Sequence, residues 1–256
     1  MPLPLAALTI LEGYESTQDR WSVLLDGRRV YRPERAALHG QVLKRHLSGS
    51  VVQEAPTALV IAGGPATGKT TLRATLELPD APVVLDADEL KLDLPEYEEL
   101  RSAGVSEAAA IVHEESSDLA RLILRRTLAE RRSLVLDTVG DSEPGTFVAK
   151  LAGLRGGGYG VDLVYAEVPV EMAVSRAAQR GAETGRVVPE VVVRELHREV
   201  AARFDEVLAL PWLRRLRVYD MAGDEPRLIL ERDADTSLTV VHDSGTLEAF
   251  RAKATA

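Results

Sequence analysis

The sequence predicts a three-layer α/β fold on a mostly parallel sheet, and three observations point to it. Short apolar runs alternate with helical patterns through the middle of the chain, which is the signature of strands connected by crossover helices. Three of those runs end at Gly63, Asp86 and Asp137, and ligands of parallel sheets bind beyond the carboxyl ends of the strands. A Gly-rich stretch, Gly63-Gly64-Pro65-Ala66-Thr67-Gly68-Lys69-Thr70, stands between the first run and its helix.

The elements follow in order. Residues 1–55 read as helices and loops packed before the core. Arg32-Pro33-Glu34-Arg35 opens a helix that reaches Leu47, since a proline fits the first helical turn. Ala58-Leu59-Val60-Ile61-Ala62 is the first strand, and Leu72, Arg73 and Ala74 begin the helix after the loop. Pro82-Val83-Val84-Leu85-Asp86 is the second strand and Ser133–Thr138 the third. Between them one long helix is expected from about Ser106 to Glu130, with Leu119, Leu122 and Ile123 on one face. Helical patterns follow at Thr146–Leu154, Val170–Gln179 and Pro189–Leu208. Val161–Val168 and Leu216–Tyr219 are the fourth and fifth strands. Gly156–Gly160 precedes a strand and is read as a turn, not as a second phosphate loop. Leu228-Ile229-Leu230 and Leu238-Thr239-Val240-Val241 suggest a small C-terminal β-hairpin. The division is 1–55 as a helical segment, 56–222 as the core and 223–256 as a hairpin and tail of the same domain.

Bulk properties narrow the classes. The 256 residues carry 31 basic and 40 acidic side chains, a net charge of −9. That balance argues against a general nucleic-acid or anionic-membrane surface. There is no cysteine, so disulfides, thiolate metal sites and cysteine nucleophiles are excluded. No run approaches the roughly 18 apolar residues of a membrane span, and the N-terminus lacks a basic n-region and a long h-region. A cytoplasmic protein is expected.

The chemistry centres on the loop. G-x-x-x-x-G-K-T between strand and helix is a P-loop, so the fold becomes a P-loop NTPase or kinase fold that binds ATP with Mg²⁺. Backbone N–H groups and the helix N-terminus cradle a polyphosphate. Gly64, Pro65, Ala66, Thr67, Gly68, Lys69, Thr70 and Thr71 form the nucleotide-binding set. Lys69 would bridge the β- and γ-phosphates, and Thr70 would ligate Mg²⁺. Asp86 and Asp88 share one side if the second strand continues; Asp88 is either a catalytic carboxylate or a helix N-cap. Asp137 is a candidate Mg²⁺ residue or another cap. Arg176 and Arg180 lie i,i+4 on one helix, and Arg186 follows Gly185. They are either phosphate-clamping cations on a mobile loop or a solvated face. His113, beside Glu114 and Glu115, is the one histidine read as a pocket candidate.

Together these segments resemble the zeta toxin family, the toxin half of epsilon/zeta toxin–antitoxin systems. The likeness spans about residues 30–220. It runs through Pro33-Glu34-Arg35-Ala36-Ala37-Leu38-His39, the loop Gly63–Thr70, Asp86-Ala87-Asp88-Glu89-Leu90-Lys91 with Leu94-Pro95-Glu96-Tyr97, His113–Ser117, Leu136-Asp137-Thr138 and Gly185-Arg186-Val187-Val188-Pro189. The resemblance implies an ATP-dependent kinase acting on the 3′-hydroxyl of UDP-N-acetylglucosamine, whose product blocks peptidoglycan synthesis. It implies Asp88 as catalytic base, Lys69 and Thr70 as phosphate and Mg²⁺ contacts, and Arg180 and Arg186 as clamps, with Arg176 in reserve. Lys91, Glu115, Ser117, Asp137 and Thr138 are implied as the substrate side. A small helical antitoxin that occludes the ATP site is the implied partner. The chain departs from the family in Thr138-Val139-Gly140, where Gly-Thr often follows the aspartate, and in Arg121, where some members carry an acid.

Overall fold

Residues 15–105, 107–140, 145–184, 187–234, 236 and 238–255 are described by a computed structural model. The chain opens with α1 (Thr17–Trp21), β1 (Ser22–Leu25), β2 (Arg28–Tyr31) and α2 (Pro33–Leu47). β3 (Thr57–Ala62), α3 (Lys69–Thr75) and β4 (Val83–Leu85) follow, then a 3₁₀ turn at Glu89–Asp93 and α4 (Pro95–Ser102). Next come α5 (Ala108–Ile111), α6 (His113–Ala129), β5 (Leu134–Asp137), α7 (Thr146–Gly156) and β6 (Gly160–Glu167). The chain closes with α8 (Val170–Thr184), α9 (Glu190–Leu208), β7 (Arg215–Asp220), β8 (Arg227–Asp233), β9 (Leu238–Val241) and α10 (Ser244–Ala252).

The main sheet has the order β4-β5-β3-β6-β7-β8-β9. Its first five strands are parallel; β8 and β9 add antiparallel ribbons. β3 is the middle of the five parallel strands and is apolar and buried from Ala58 to Ala62 because both faces are covered. Ala58, Val60 and Ala62 enter a large core with Leu119 and Ile123 of α6, Leu151 of α7 and Phe204 of α9. Leu59 and Ile61 enter a smaller one with Leu72 of α3 and Ala173 and Ala177 of α8. The result is helix, sheet, helix, as expected. The chain leaves β3 toward β4 and later returns past β3 to β6, so the strand order reverses at β3. A ligand crevice belongs at that reversal, outside the carboxyl ends of the strands.

Four details differ from the sequence reading. The long helix is two helices, α5 and α6, and Ser106 lies outside the described residues. The break falls at Val112 (φ −98, ψ −1), beside buried Ile111; both are β-branched residues, stiff at χ1 and weak helix formers. The second strand stops at Leu85, so Asp86 and Asp88 do not share a strand face. Asp86 Oδ1 instead accepts the Asp88 N–H at 2.9 Å, a local turn that short acids favour. The N-terminal segment contains a β-hairpin, β1–β2, whose Asp26 and Gly27 both have positive φ, as a two-residue hairpin turn requires. The tail ends in α10, capped by the Asp243 side chain, which accepts the Thr246 N–H at 2.9 Å.

Candidate functional site

The loop after β3 is held open by its own backbone geometry. Gly68 takes φ +85 as the residue before α3, and Ala66 takes φ +60. The Gly63 N–H donates to the Val139 carbonyl at 2.9 Å, and the Thr138 N–H to Ile61 at 2.9 Å. These bonds tie the start of the loop to the end of β5. Lys69 folds its ammonium back onto the carbonyls of Gly63 (2.8 Å) and Gly64 (3.1 Å). Burial lowers the Lys69 pKa, while Asp137, Asp86 and Asp88 hold it up. A cation in this nest of N–H groups is what a polyphosphate needs.

The loop opens on a cleft of about 700 Å³. Pro65, Ala66, Thr67, Gly68, Lys69 and Thr70 line it, as do Asp86, Asp88, Lys91, His113, Asp137 and Arg180. Most of the anticipated site therefore converges on one space. Arg180 is near enough to Lys69 to depress its pKa. Asp88 sits at the head of the 3₁₀ turn but makes no side-chain capping bond; its Oδ1 accepts from Lys91 Nζ at 2.7 Å. Burial, then Lys91, pushes the His113 pKa down.

Asp137 ends β5 beneath the cleft with its side chain 3% exposed. Burial and the neighbouring Asp86 carboxylate push its pKa up to about 6, against the pull of Lys69 and Arg73. Its Oδ2 accepts from Arg73 at 3.0 Å, while its buried Oδ1 has no hydrogen-bond partner among the described residues. An orphaned carboxylate oxygen in the cleft that Thr70 also lines fits a hard cation held by few protein ligands. Among the described residues no cluster of three or more His, Cys, Asp or Glu side chains forms a dedicated metal cage.

Other anticipated residues lie elsewhere. Arg176 donates to the Met221 carbonyl at 3.0 Å, behind Gly68, and Thr71 is exposed on α3; neither lines the cleft. Arg186 lies outside the described residues. Ser117 and Thr138 are half-buried and not among the lining residues. Glu115 is fully buried in an ion network: it accepts from Arg35 Nε at 2.5 Å, Arg35 Nη2 at 2.8 Å and His39 Nε2 at 2.7 Å. Arg35 also bridges to Glu96, which accepts from the Trp21 indole at 2.6 Å. The network ties α1, α2 and α4 to α6. Arg121 pairs with Asp118.

Several cleft residues had no site role assigned from the sequence: Glu89, Glu107, Val139, Val187 and Leu196, with Arg73 and His197 behind them. Glu89 carried a signal, as the residue next to Asp88. Glu107, Leu196 and His197 carried none, because only the fold brings their helices to the loop.

No described helix is long and apolar enough to cross a membrane. No curated protein matches this chain significantly. Among solved structures, a chain of the AvrRxo1-ORF1:-ORF2 complex with ATP is 20% identical, with a TM-score of 0.70, over 94% of this chain and 83% of that one. The same complex with sulphate ions gives 20% identity and a TM-score of 0.69 over the same shares. A chain of the PezAT chromosomal toxin–antitoxin system of Streptococcus pneumoniae is 15% identical, with a TM-score of 0.68, over 86% of this chain and 89% of that one. These likenesses show a shared P-loop kinase-like fold. The family model for Zeta toxin matches residues 41–233, well over half of the sequence, and the chain therefore belongs to the zeta toxin family.

Proposed function

We propose that this chain is an ATP-dependent kinase that phosphorylates the 3′-hydroxyl of the amino sugar in UDP-N-acetylglucosamine. One observation carries the reaction type: a single cleft presents the phosphate loop with Lys69, Asp137 and Arg180, and also Asp88. The Zeta toxin family match supports the acceptor class, and the ATP named with the AvrRxo1 complex supports the donor.

On this reading Lys69 leaves its loop carbonyls for the β- and γ-phosphates, and Arg180, with Arg186, offsets the charge of the transferring group. The Asp88 carboxylate accepts the acceptor hydroxyl's proton. The hydroxyl oxygen bonds to the γ-phosphorus as the bond to the β,γ-bridging oxygen breaks, and that electron pair leaves on ADP. Lys91 holds Asp88 in place until the substrate arrives. Thr70 and Asp137 would hold Mg²⁺, which supplies charge neutralisation to the phosphates. Cytoplasmic action and a small antitoxin covering the nucleotide site belong to the same proposal. The likeness to a chain of the PezAT toxin–antitoxin system supports the partner.

The burial of Glu115 between Arg35 and His39 favours a second reading. There the reaction is the same but the acceptor is another hydroxyl, on an antibiotic, a nucleoside or an RNA end. Mass spectrometry of the protein incubated with Mg²⁺·ATP and UDP-N-acetylglucosamine, with Lys69→Ala as control, separates the two. A Lys69-dependent gain of one phosphate on the sugar nucleotide is the expected result. ATP consumed without that product selects the second reading, and no turnover at all favours a nucleotide-dependent binding module without transfer activity.

A further inference from the structure

The back of the phosphate loop rests on a histidine. His197, on α9, is 2% exposed, and its Nε2 lies 3.0 Å from the Pro65 carbonyl oxygen. A carbonyl only accepts, so Nε2 carries the proton in this contact. Burial keeps the ring neutral, with a pKa lowered to about 4, and Lys253 and Lys69 act in the same direction. The ring also lies flush on Gly64: a Cβ added at that glycine would collide with the imidazole. One side chain therefore contacts two consecutive residues of the loop.

Peptide planarity carries this contact through to the ligand. In a trans peptide the C=O and the N–H point in opposite directions, and no described peptide is cis. With the Pro65 carbonyl tied to His197, the Ala66 N–H of the same peptide points the opposite way, and Ala66 itself lines the cleft. Ala66 holds a left-handed φ of +60, which a residue with a Cβ seldom adopts. Such a conformation persists only where its surroundings over-determine it. The second local restraint is the Thr67 hydroxyl, which donates to the Gly64 carbonyl at 3.0 Å.

We propose that His197 is a positioning residue for nucleotide binding, which orients the Pro65–Ala66 peptide so that the Ala66 N–H meets the polyphosphate. This role rests on the kinase reading above. It assigns to α9 a task that neither the P-loop motif nor the helix pattern contains.

The test is calorimetric titration of the full chain with Mg²⁺·ATP and, separately, with adenosine, which has no phosphate to meet. His197→Leu keeps the bulk and removes the donor. We expect at least a tenfold loss of ATP affinity, with adenosine affinity within twofold. In turnover assays the loss falls on the KM for ATP, and kcat at saturation stays within about threefold. His197→Gln can still place an N–H near Pro65, and recovers most of the affinity. If His197→Leu fails to fold, His197→Asn replaces it, because its shorter amide stops short of Pro65 while Gln does not. ATP affinity within twofold of the parent in the folded donorless variant overturns the role, as does an equal loss for adenosine. ATP binding that vanishes in Lys69→Ala yet persists in the His197 variants overturns this role alone. A parent protein that binds no ATP overturns the kinase reading and this role together.

Discussion

Arg73, on the helix that follows the phosphate loop, donates from Nη1 to Asp137 Oδ2 at 3.0 Å. Its Nη2 donates to Glu89 Oε1 at 2.6 Å. One guanidinium thus joins the end of β5 to the turn that begins at Asp88. Without it, half-buried Asp86 and the Asp137 carboxylate would repel each other with less opposing charge.

The first prediction follows from that pair. The Asp137 pKa is raised to about 6 by burial and by Asp86. Its charged form is the one that can hold a cation, so transfer falls as pH drops through about 6. Arg73→Gln removes a charge that favours ionisation, so the pKa rises further and the acid limb moves up by about one unit. Profiles of kcat/KM between pH 5 and 8 read this directly, and coincident limbs would refute it. Stability runs the other way. The folded state binds a proton that the unfolded chain has released, so the cost of this group is present above about pH 6 and is relieved as pH falls toward 4.

Asp88 is accessible in the cleft, where its carboxylate accepts from Lys91 and makes no capping bond. Asp88→Asn should lower phosphoryl transfer by at least about 100-fold, the scale of a positioned general base. ATP affinity should stay within about threefold, because the loop is untouched. Equal losses in transfer and ATP affinity would make Asp88 a binding residue instead.

Glu115 gives a stability prediction. Burial alone would raise its pKa, but hydrogen bonds from His39 and Arg35 bring it down to about 2. Its stabilising contribution is complete above the ordinary value of 4.5 and is lost as pH falls from there to about 2. Glu115→Gln should cost about 3 kcal/mol near neutrality, the scale for breaking a buried ion pair. The gap to the parent should then close on acidification. Urea unfolding at pH 7 and at pH 3 measures both, and a gap that stays constant would contradict the ion network.

What the sequence made legible was local. The P-loop, the apolar runs ending at Gly63 and Asp137, and the arginine spacing on α8 are all set by near neighbours, and periodicity exposes them. The burial of Glu115 was not legible: its partners Arg35 and His39 lie 80 and 76 residues away. His197 is 132 residues from Pro65, and nothing in its helix distinguishes it from a core histidine. Two further features carry local signals. Asp26-Gly27 between Val-Leu-Leu and Arg-Val-Tyr is a hairpin signature, and Asp243 three residues before Thr246 is an N-cap signature. The Asp86–Asp88 segment misled because the strand pattern carries no mark of where pairing stops.

The C-terminal tail supplies the last prediction. Lys253, just after α10, pairs with Glu167 at the end of β6 and donates to the Val168 carbonyl at 2.5 Å. Both charged groups are nearly inaccessible, at 11% and 7% exposure. Burial raises the Glu167 pKa to about 7, with Lys253 opposing and Asp220 assisting. The preceding residue, Ala166, backs directly onto Gly63, where an added Cβ would strike its carbonyl. Lys253→Met leaves Glu167 buried without its cation and should cost about 3 kcal/mol above pH 7. The folded-state pKa is raised, so the cost of this carboxyl is full above about 7 and is relieved as pH falls toward 4.5. Near pH 5 the carboxyl is protonated with or without Lys253, and the gap should shrink. Lys253→Met combined with Glu167→Gln removes both charges and should recover most of the loss in a double-mutant cycle. Thermal unfolding of the four proteins at pH 5 and pH 8 decides it. If the double variant is no more stable than Lys253→Met alone, the tail acts by packing and not by charge.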